Sequence, residues 1–516
     1  MSSKNIIVCA DGTGNNGGYS PDSNVYKVYK AVDKHYKGAC EDKVEVEEQI
    51  LFYDNGVGTQ KNKLIRTLSG GFGLGFGHNV CDLYKFLARN YVDGDRIYFF
   101  GFSRGASTVR ACNGMISKCG LAKGKGLRNE ELDDLVAKAF KAYKNHKKNP
   151  SLAENFKNDT SKSHGDVKIK FLGVWDTVVA LGFPKRTDIT GPLTLLLTIV
   201  FGTLEKISDL FFPHSFYHYK LTDNVEFACQ ALAIDDERTA FWPFVWREKN
   251  IPDAKDRTPE NVEQVWFAGM HSNVGGGYER AGMAGVALYW MMTRAEKHGL
   301  MFNKGALKEA YDASHIHGRM YNSRAGTAVF YRYHPRQIEK LCQDRLLGNI
   351  KLHCSVMERL THRTANYAPG HIPAQFDVVD NNIPARVKHC EPGKIDGWSS
   401  TRSLIDRLVF WRKKMYGFML AAVLAVVAYA VYLWNALSLP DESTRTGVWG
   451  EVANILDYFS PDMFDALIHV AVTQNPRLLM GALIVLAVYL IVNRYLKLKT
   501  VDAGETLRHY IIIDSK

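Results

Sequence analysis

A strand-like run from Arg96 to Phe102 passes without a break into Gly101-Phe102-Ser103-Arg104-Gly105-Ala106, and Val109, Cys112 and Ile116 then fall at helical spacing. A strand with no polar face, feeding straight into a helix, is expected where helices cover both faces of a parallel sheet. Four further runs end in turn residues: Ile6 to Ala10, Gln49 to Tyr53, Val167 to Trp175 and Val265 to Ala268. Helical patterns lie between them, the clearest being Val80, Leu83, Tyr84, Leu87 and Tyr91. The alternation implies an α/β fold, an α/β-hydrolase-like and mostly parallel sheet with helices on both faces.

The chain has 516 residues, more than one hydrophobic core usually supports, so a second module is expected. The reading is a catalytic core over 1–280, a helical and irregular extension over 281–400 and a membrane module over 401–516. In the last, Met415 to Trp434 carries no charge and Leu478 to Val492 none either, so helices over about 415–434 and 478–496 are expected to cross a bilayer core of roughly 30 Å. Arg402, Arg407, Arg412, Lys413 and Lys414 precede the first, while Arg494, Lys497 and Lys499 follow the second. The connecting segment instead carries Asp441, Glu442, Glu451, Asp457, Asp462 and Asp465 against Arg445 and Arg477. The positive-inside rule then places the catalytic domain and the C-terminus on the cytoplasmic side.

The net charge of +11 is spread along the chain with no nucleic-acid-binding signature, so no nucleic-acid partner is expected. Nine cysteines (Cys9, Cys40, Cys81, Cys112, Cys119, Cys229, Cys342, Cys354 and Cys390) form no CxxC pair and no metal-ligand spacing. Reduced thiols, no cofactor and no metal are expected.

A GxSxG sequence between strand and helix has a mechanical reason. The serine sits on a strained turn that small flanking residues allow, exposing its hydroxyl at the carboxyl edge of the sheet. Ser103 is the candidate nucleophile. A serine hydroxyl needs a base, and the base a carboxylate to orient it. Asp176 closes the strand ending Val174-Trp175, and His271 follows the last strand in Gly269-Met270-His271-Ser272-Asn273-Val274-Gly275-Gly276-Gly277-Tyr278. The order serine, acid, histidine fits this fold. Asp235 and Asp236 also lie between Ser103 and His271 and compete for the acid, with a salt-bridged loop as their plainer reading. For the oxyanion hole, Gly12 or Thr13 would supply one amide and Arg104 the other. Gly70 to Gly77 resembles a nucleotide loop but lacks the GK[ST] ending and a leading strand, so it reads as a flexible rim or a helix entry.

These pieces together resemble the uncharacterised-domain family numbered 2235, whose members include the Tle1-like phospholipase effectors of the type VI secretion system. The resemblance rests on Asp11-Gly12-Thr13, Asn79-Val80, Gly101 to Ala106, Gly173 to Val178, Ala231 to Arg238 and His271 to Tyr278, with weaker echoes at Tyr333-His334-Pro335-Arg336 and Ser355 to Arg359. It implies a serine, aspartate and histidine triad acting on membrane glycerophospholipids and, for a secreted effector, an immunity or chaperone partner. One departure is Asn273, where the family usually has aspartate. If that position orients the histidine the site is weakened; if Asp176 does, little changes.

The leading expectation is therefore a membrane-associated phospholipase. A membrane scaffold that keeps the fold without turnover, and an esterase or thioesterase on soluble acyl compounds, are the alternatives. The apolar stretch Leu193 to Phe201 reads either as core or as a lid that sinks into lipid.

Overall fold

The computed structural model describes the chain except for residues 1–2, 13–16, 19–20, 42–44, 56–74, 179–216, 250–256, 380–386, 437–449, 452–475 and 516. Thr13, most of the Gly70 to Gly77 loop, Leu193 to Phe201 and most of the acidic segment after Trp434 lie outside the described residues.

Among the described residues ten strands form one sheet: β1 (Ser3–Ala10), β2 (Gly38–Ala39), β3 (Glu45–Asp54), β4 (Arg96–Phe102), β5 (Ile169–Trp175), β6 (Val225–Ala233), β7 (Val262–Phe267), β8 (Ile350–His353), β9 (Phe376–Val379) and β10 (Val387–Cys390). Their order is β10-β9-β8-β7-β6-β5-β4-β1-β3-β2. Every neighbouring pair is parallel except β9 with β10 and β2 with β3, so the antiparallel strands sit only at the two edges.

Successive strand side chains point to opposite faces. Ile6, Val8 and Ala10 of β1 join one apolar cluster with Ile97 and Phe99 of β4, while Ile7 and Cys9 join another with Tyr98, Phe100 and Phe102. This is why the strands read as unbroken apolar runs.

The helices are α1 (Asn24–Ala31), α2 (Phe76–Asn90), α3 (Ser103–Cys119), α4 (Asn129–Asn145), α5 (Pro150–Asn158), α6 (His271–Gly275), α7 (Gly282–Lys297), α8 (Ala306–Asp312), α9 (Ile338–Cys342), α10 (Cys354–Thr361), α11 (Trp398–Ala436) and α12 (Pro476–Ser515). Val80, Leu83, Tyr84 and Leu87 are fully buried, so the periodicity read over Val80 to Tyr91 is the core face of α2. That face packs with α3, α4 and α5 in one cluster, and α1 and α7 belong to the other.

The chain runs from β1 out to β3 and then back to β4 on the other side, so the strand order reverses between β1 and β4. Such a reversal opens a crevice at the carboxyl ends of the two strands, where ligands of doubly wound sheets bind. Residues Asp11 and Ser103 follow those two ends.

One expectation needs correction. Residues 281–400 are not only helical and irregular, because β8, β9 and β10 extend the same sheet. Each is four residues long, too short to show a periodicity. The chain divides into two compact units: Met1–Ala328 with Pro335–Ile395 and Arg508–Lys516, and Val329–His334 with Asp396–Leu507. Among the described residues one helix, Met480–Ser515, is long and apolar enough to cross a membrane by length and composition. The earlier run 415–434 is helical within α11, but many of its side chains lie outside the described set.

Candidate active site

Two glycines make the turn after β4 possible. A Cβ on Gly101 would come within 2.6 Å of the Ala106 Cα, and one on Gly105 would collide with the carbonyl oxygens of Ala10 and Asp11. The second contact also shows how tightly the elbow packs on the end of β1. Between the glycines, Ser103 takes φ 57°, a left-handed conformation that is strained for a residue with a side chain. It opens α3 and is 7% exposed. The loop after β5 ties back to this turn: Val178 N donates to the Ser103 carbonyl at 3.2 Å, and Ser107 Oγ donates to the Val178 carbonyl at 2.7 Å.

Asp176 follows β5 immediately and shares the strain, with φ 39°. Its Oδ2 lies 2.6 Å from Nδ1 of His271, the first residue of α6, and its Oδ1 accepts from the Ala233 amide at 3.0 Å. The His271 ring is flanked by Phe102 at 4.6 Å and Phe241 at 5.0 Å, measured between ring centroids. Because Phe102 immediately precedes Ser103, the same stacking that fixes the imidazole plane sets it beside the elbow. His271 Nε2 is buried and has no hydrogen-bond partner among the described residues. One face of the ring's chemistry is thus committed to Asp176 and the other is open.

Sequence reasoning missed Arg336. Its guanidinium donates to both carboxylate oxygens of Asp176 at 2.6 Å and also reaches the carbonyls of Ala233 and Phe241. Both side chains are fully buried. Burial alone would push the Asp176 carboxyl up, but Arg336 and the His271 contact outweigh it and hold the group well below the ordinary carboxylate range. The Arg336 charge is likewise reinforced against burial by Asp176. The only signal in the sequence was the short echo Tyr333-His334-Pro335-Arg336, far from the other motifs.

Neither competing acid reaches the imidazole, although Asp236 Oδ2 accepts from the backbone amide of His271 at 3.3 Å. Asp236 accepts from Arg238 Nε at 3.0 Å and Nη2 at 2.6 Å, the salt-bridged loop of the plainer reading. Asp235 accepts from the Gly269 amide at 2.6 Å and the Tyr367 hydroxyl at 3.0 Å, and burial pushes its carboxyl up to about 6 against those hydrogen bonds. Asn273 faces away from the imidazole nitrogens: its Nδ2 donates to the Arg319 carbonyl at 3.0 Å and its Oδ1 accepts from the Tyr321 amide at 3.1 Å. The carboxylate bonded to the His271 imidazole is therefore that of Asp176.

For the oxyanion hole, Arg104 lies beside Ser103 in the first turn of α3. The Gly12 amide donates to Asp11 Oδ1 at 2.6 Å, so it is already engaged, and Thr13 lies outside the described residues. Asp11 in turn accepts from the Ser23 and Tyr53 hydroxyls, which fixes the loop's start.

Residues 4–294 match the family described as the catalytic domain of Tle1-like phospholipase effectors of the type VI secretion system. The uncharacterized protein YEL023C of Saccharomyces cerevisiae is 33% identical over 203 residues, which cover 35% of this chain and 27% of that protein. The match thus spans about a quarter of the yeast relative. Among solved structures, an uncharacterized Pseudomonas aeruginosa protein aligns over 90% of this chain and 63% of its own, with a TM-score of 0.38 and 14% identity. A Tle1 effector, solved bound to the VgrG spike, aligns over 54% of this chain and 52% of its own, with a TM-score of 0.29 and 17% identity. Since the match takes in more than half of the 516 residues, from β1 into α7, the chain belongs to the family of Tle1-like phospholipase effectors through its catalytic domain.

Proposed function

We propose that the chain is a membrane-associated serine hydrolase that cleaves carboxylic ester bonds of glycerophospholipids, a phospholipase A type of activity. The observation that carries the reading is the buried imidazole of His271, bonded through Nδ1 to Asp176, unpartnered at Nε2, and packed on Phe102, the residue before a strained Ser103. Asp176 holds the proton on Nδ1, which leaves Nε2 as a base.

In this reading Ser103 Oγ attacks the ester carbonyl as Nε2 takes its proton. The tetrahedral intermediate collapses to an acyl-serine, and Nε2 returns the proton to the departing lysophospholipid alkoxide. Water then attacks the acyl group by the same relay and releases the fatty acid and free Ser103. The first-turn amides of α3 face the charge that develops on the carbonyl oxygen.

Two crossings of the bilayer, with the catalytic unit and C-terminus on the cytoplasmic side, belong to the same proposal. Its support is the end of α12: Arg508–Lys516 belongs to the same compact unit as the catalytic residues, where Asp514 accepts from the Glu391 amide at 2.6 Å and Arg508 donates to the Leu360 carbonyl at 3.2 Å. A chain that leaves that unit and returns to it crosses an even number of times, so the span in α12 needs a partner, and 415–434 supplies it.

The test is detergent-purified protein incubated with mixed-phospholipid vesicles. Wild type should release lysolipid and free fatty acid, and Ser103→Ala should lose this by orders of magnitude at an unchanged melting temperature. Near-wild-type release by folded Ser103→Ala protein would overturn the mechanism.

A further inference from the structure

We propose that His317, Glu358 and His362 form a surface binding site for a borderline transition-metal ion of the Zn²⁺ class. The three side chains are exposed, and one potential ligand atom from each lies within 4.8 Å of the others. Two ligands of a tetrahedral Zn²⁺, each bonded at about 2.0–2.1 Å, stand roughly 3.3 Å apart, so modest side-chain rotation closes the cluster on an ion. Two imidazoles with one carboxylate is a donor set suited to such an ion rather than to Mg²⁺ or Ca²⁺, which favour oxygen. Water would complete the coordination shell.

The backbone is already arranged for this. Glu358 and His362 stand one turn apart at the end of α10, hence on one face. His317 comes from the separate segment after α8, and the buried guanidinium of Arg359, next in sequence to Glu358, binds that segment on both sides of it. Its Nη1 donates to the carbonyls of Ile316, at 2.5 Å, and Gly318, at 3.1 Å. Nδ1 of His317 is 2.6 Å from the Thr364 hydroxyl, while its Nε2 faces Glu358 Oε1 at 4.0 Å. A ring with one nitrogen held by an outer partner and the other turned to a carboxylate is the arrangement that metal-bound histidines show. His362 Nδ1 lies 3.4 Å from the same Oε1 and 3.0 Å from the Glu358 carbonyl, so that nitrogen has an outer partner too and Nε2 is left as the ligand once the ring rotates.

A second histidine–carboxylate cluster shows the contrast. His389 meets Asp377 through Nδ1 and Glu391 through Nε2, on opposite sides of the ring, so those carboxylates cannot converge on one ion. The proposed site also has a place in the architecture. Beyond His317 the chain continues to Arg319 and Tyr321, whose backbone holds Asn273, two residues from His271. An ion there would brace this segment against α10, away from the ester chemistry.

The experiment is Zn²⁺ binding to the full-length protein in detergent, followed by competition with a chromophoric chelator, with Co²⁺ absorption as a second readout of nitrogen ligation. One equivalent should bind wild type, and His317→Ala, His362→Ala and Glu358→Gln should each weaken it at least tenfold. His389→Ala and Cys354→Ser, the latter removing the thiol nearest in sequence, should leave it unchanged. Equal affinity in wild type and the His317→Ala/His362→Ala double variant, or no stoichiometric binding by folded wild type, would overturn the proposal. All three proposed ligands are exposed, so these variants should fold.

Discussion

Asp176 is held by His271, by both outer nitrogens of the Arg336 fork and by the Ala233 amide. Removing the cation leaves a buried charge with half its partners, at a cost of about 3–5 kcal/mol. Arg336→Met should accordingly lower the melting temperature sharply; Asp176→Asn, which strips the buried Arg336 of its anion, should lower it too and also cut turnover by orders of magnitude, and Asp236→Asn should act on stability through the weakened Arg238 pair. Kinetics and melts on the three variants would separate these roles. Asp235 makes a pH-dependent prediction. Its carboxyl titrates near 3.8 in the unfolded chain and near about 6 in the folded one, so between those values the native state binds more protons and stability falls as pH rises. Asp235→Asn should flatten that fall, on the order of 2–3 kcal/mol across the interval by the standard conversion, read from denaturation midpoints at pH 4 and 7. Ser103, Asp176 and His271 could be proposed from the sequence because the first two directly follow β4 and β5 and the third opens the helix after β7, each in a recognisable motif. Arg336 was not, because a residue that acts by neutralising a buried charge follows no pattern in its own neighbourhood. Asn273→Asp tests the departure from the family: a carboxylate would face the Arg319 carbonyl in place of a donor, and should cost about 1–3 kcal/mol without raising activity.

At the scale of elements, the turn from β4 into α3 depends on what glycine lacks. A methyl on Gly105 would meet the backbone of β1, which cannot retreat because β1 lies between β3 and β4. Gly105→Ala should lower stability by about 3 kcal/mol or more, checked by thermal melting, and take activity with it. The central strands announced themselves because helices cover both faces and each keeps an apolar run at its carboxyl end, such as Phe171 to Trp175 in β5 and Val265 to Phe267 in β7. β6 lies equally deep yet was passed over, since Glu226 and Gln230 interrupt its run; in the fold Gln230 is buried and donates to the Phe244 carbonyl at 3.2 Å. A buried amide with its own acceptor looks polar in a sequence and behaves as core in a sheet.

Across the whole molecule, the return of α12 to the catalytic unit sets a topological expectation. An introduced cysteine at Ser515 should resist a membrane-impermeant reagent in intact cells while one at Ser443, outside the described residues, should react. Labelling of Ser515 alone would mean that the orientation is inverted. The boundary of the family match has a different consequence. It closes at residue 294, before Arg336 and before β8. A fragment cut there would keep Ser103, Asp176 and His271 yet lose the counter-ion of Asp176, and it would bare the β7 edge that β8 covers. Since strands β4 to β8 are laid down side by side in the order of synthesis, the nascent sheet passes through that same state. On the proposed mechanism, Ser103, Asp176 and His271 are then made before the arginine that neutralises their acid, so competence to turn over would arrive late in translation rather than with the last of the three.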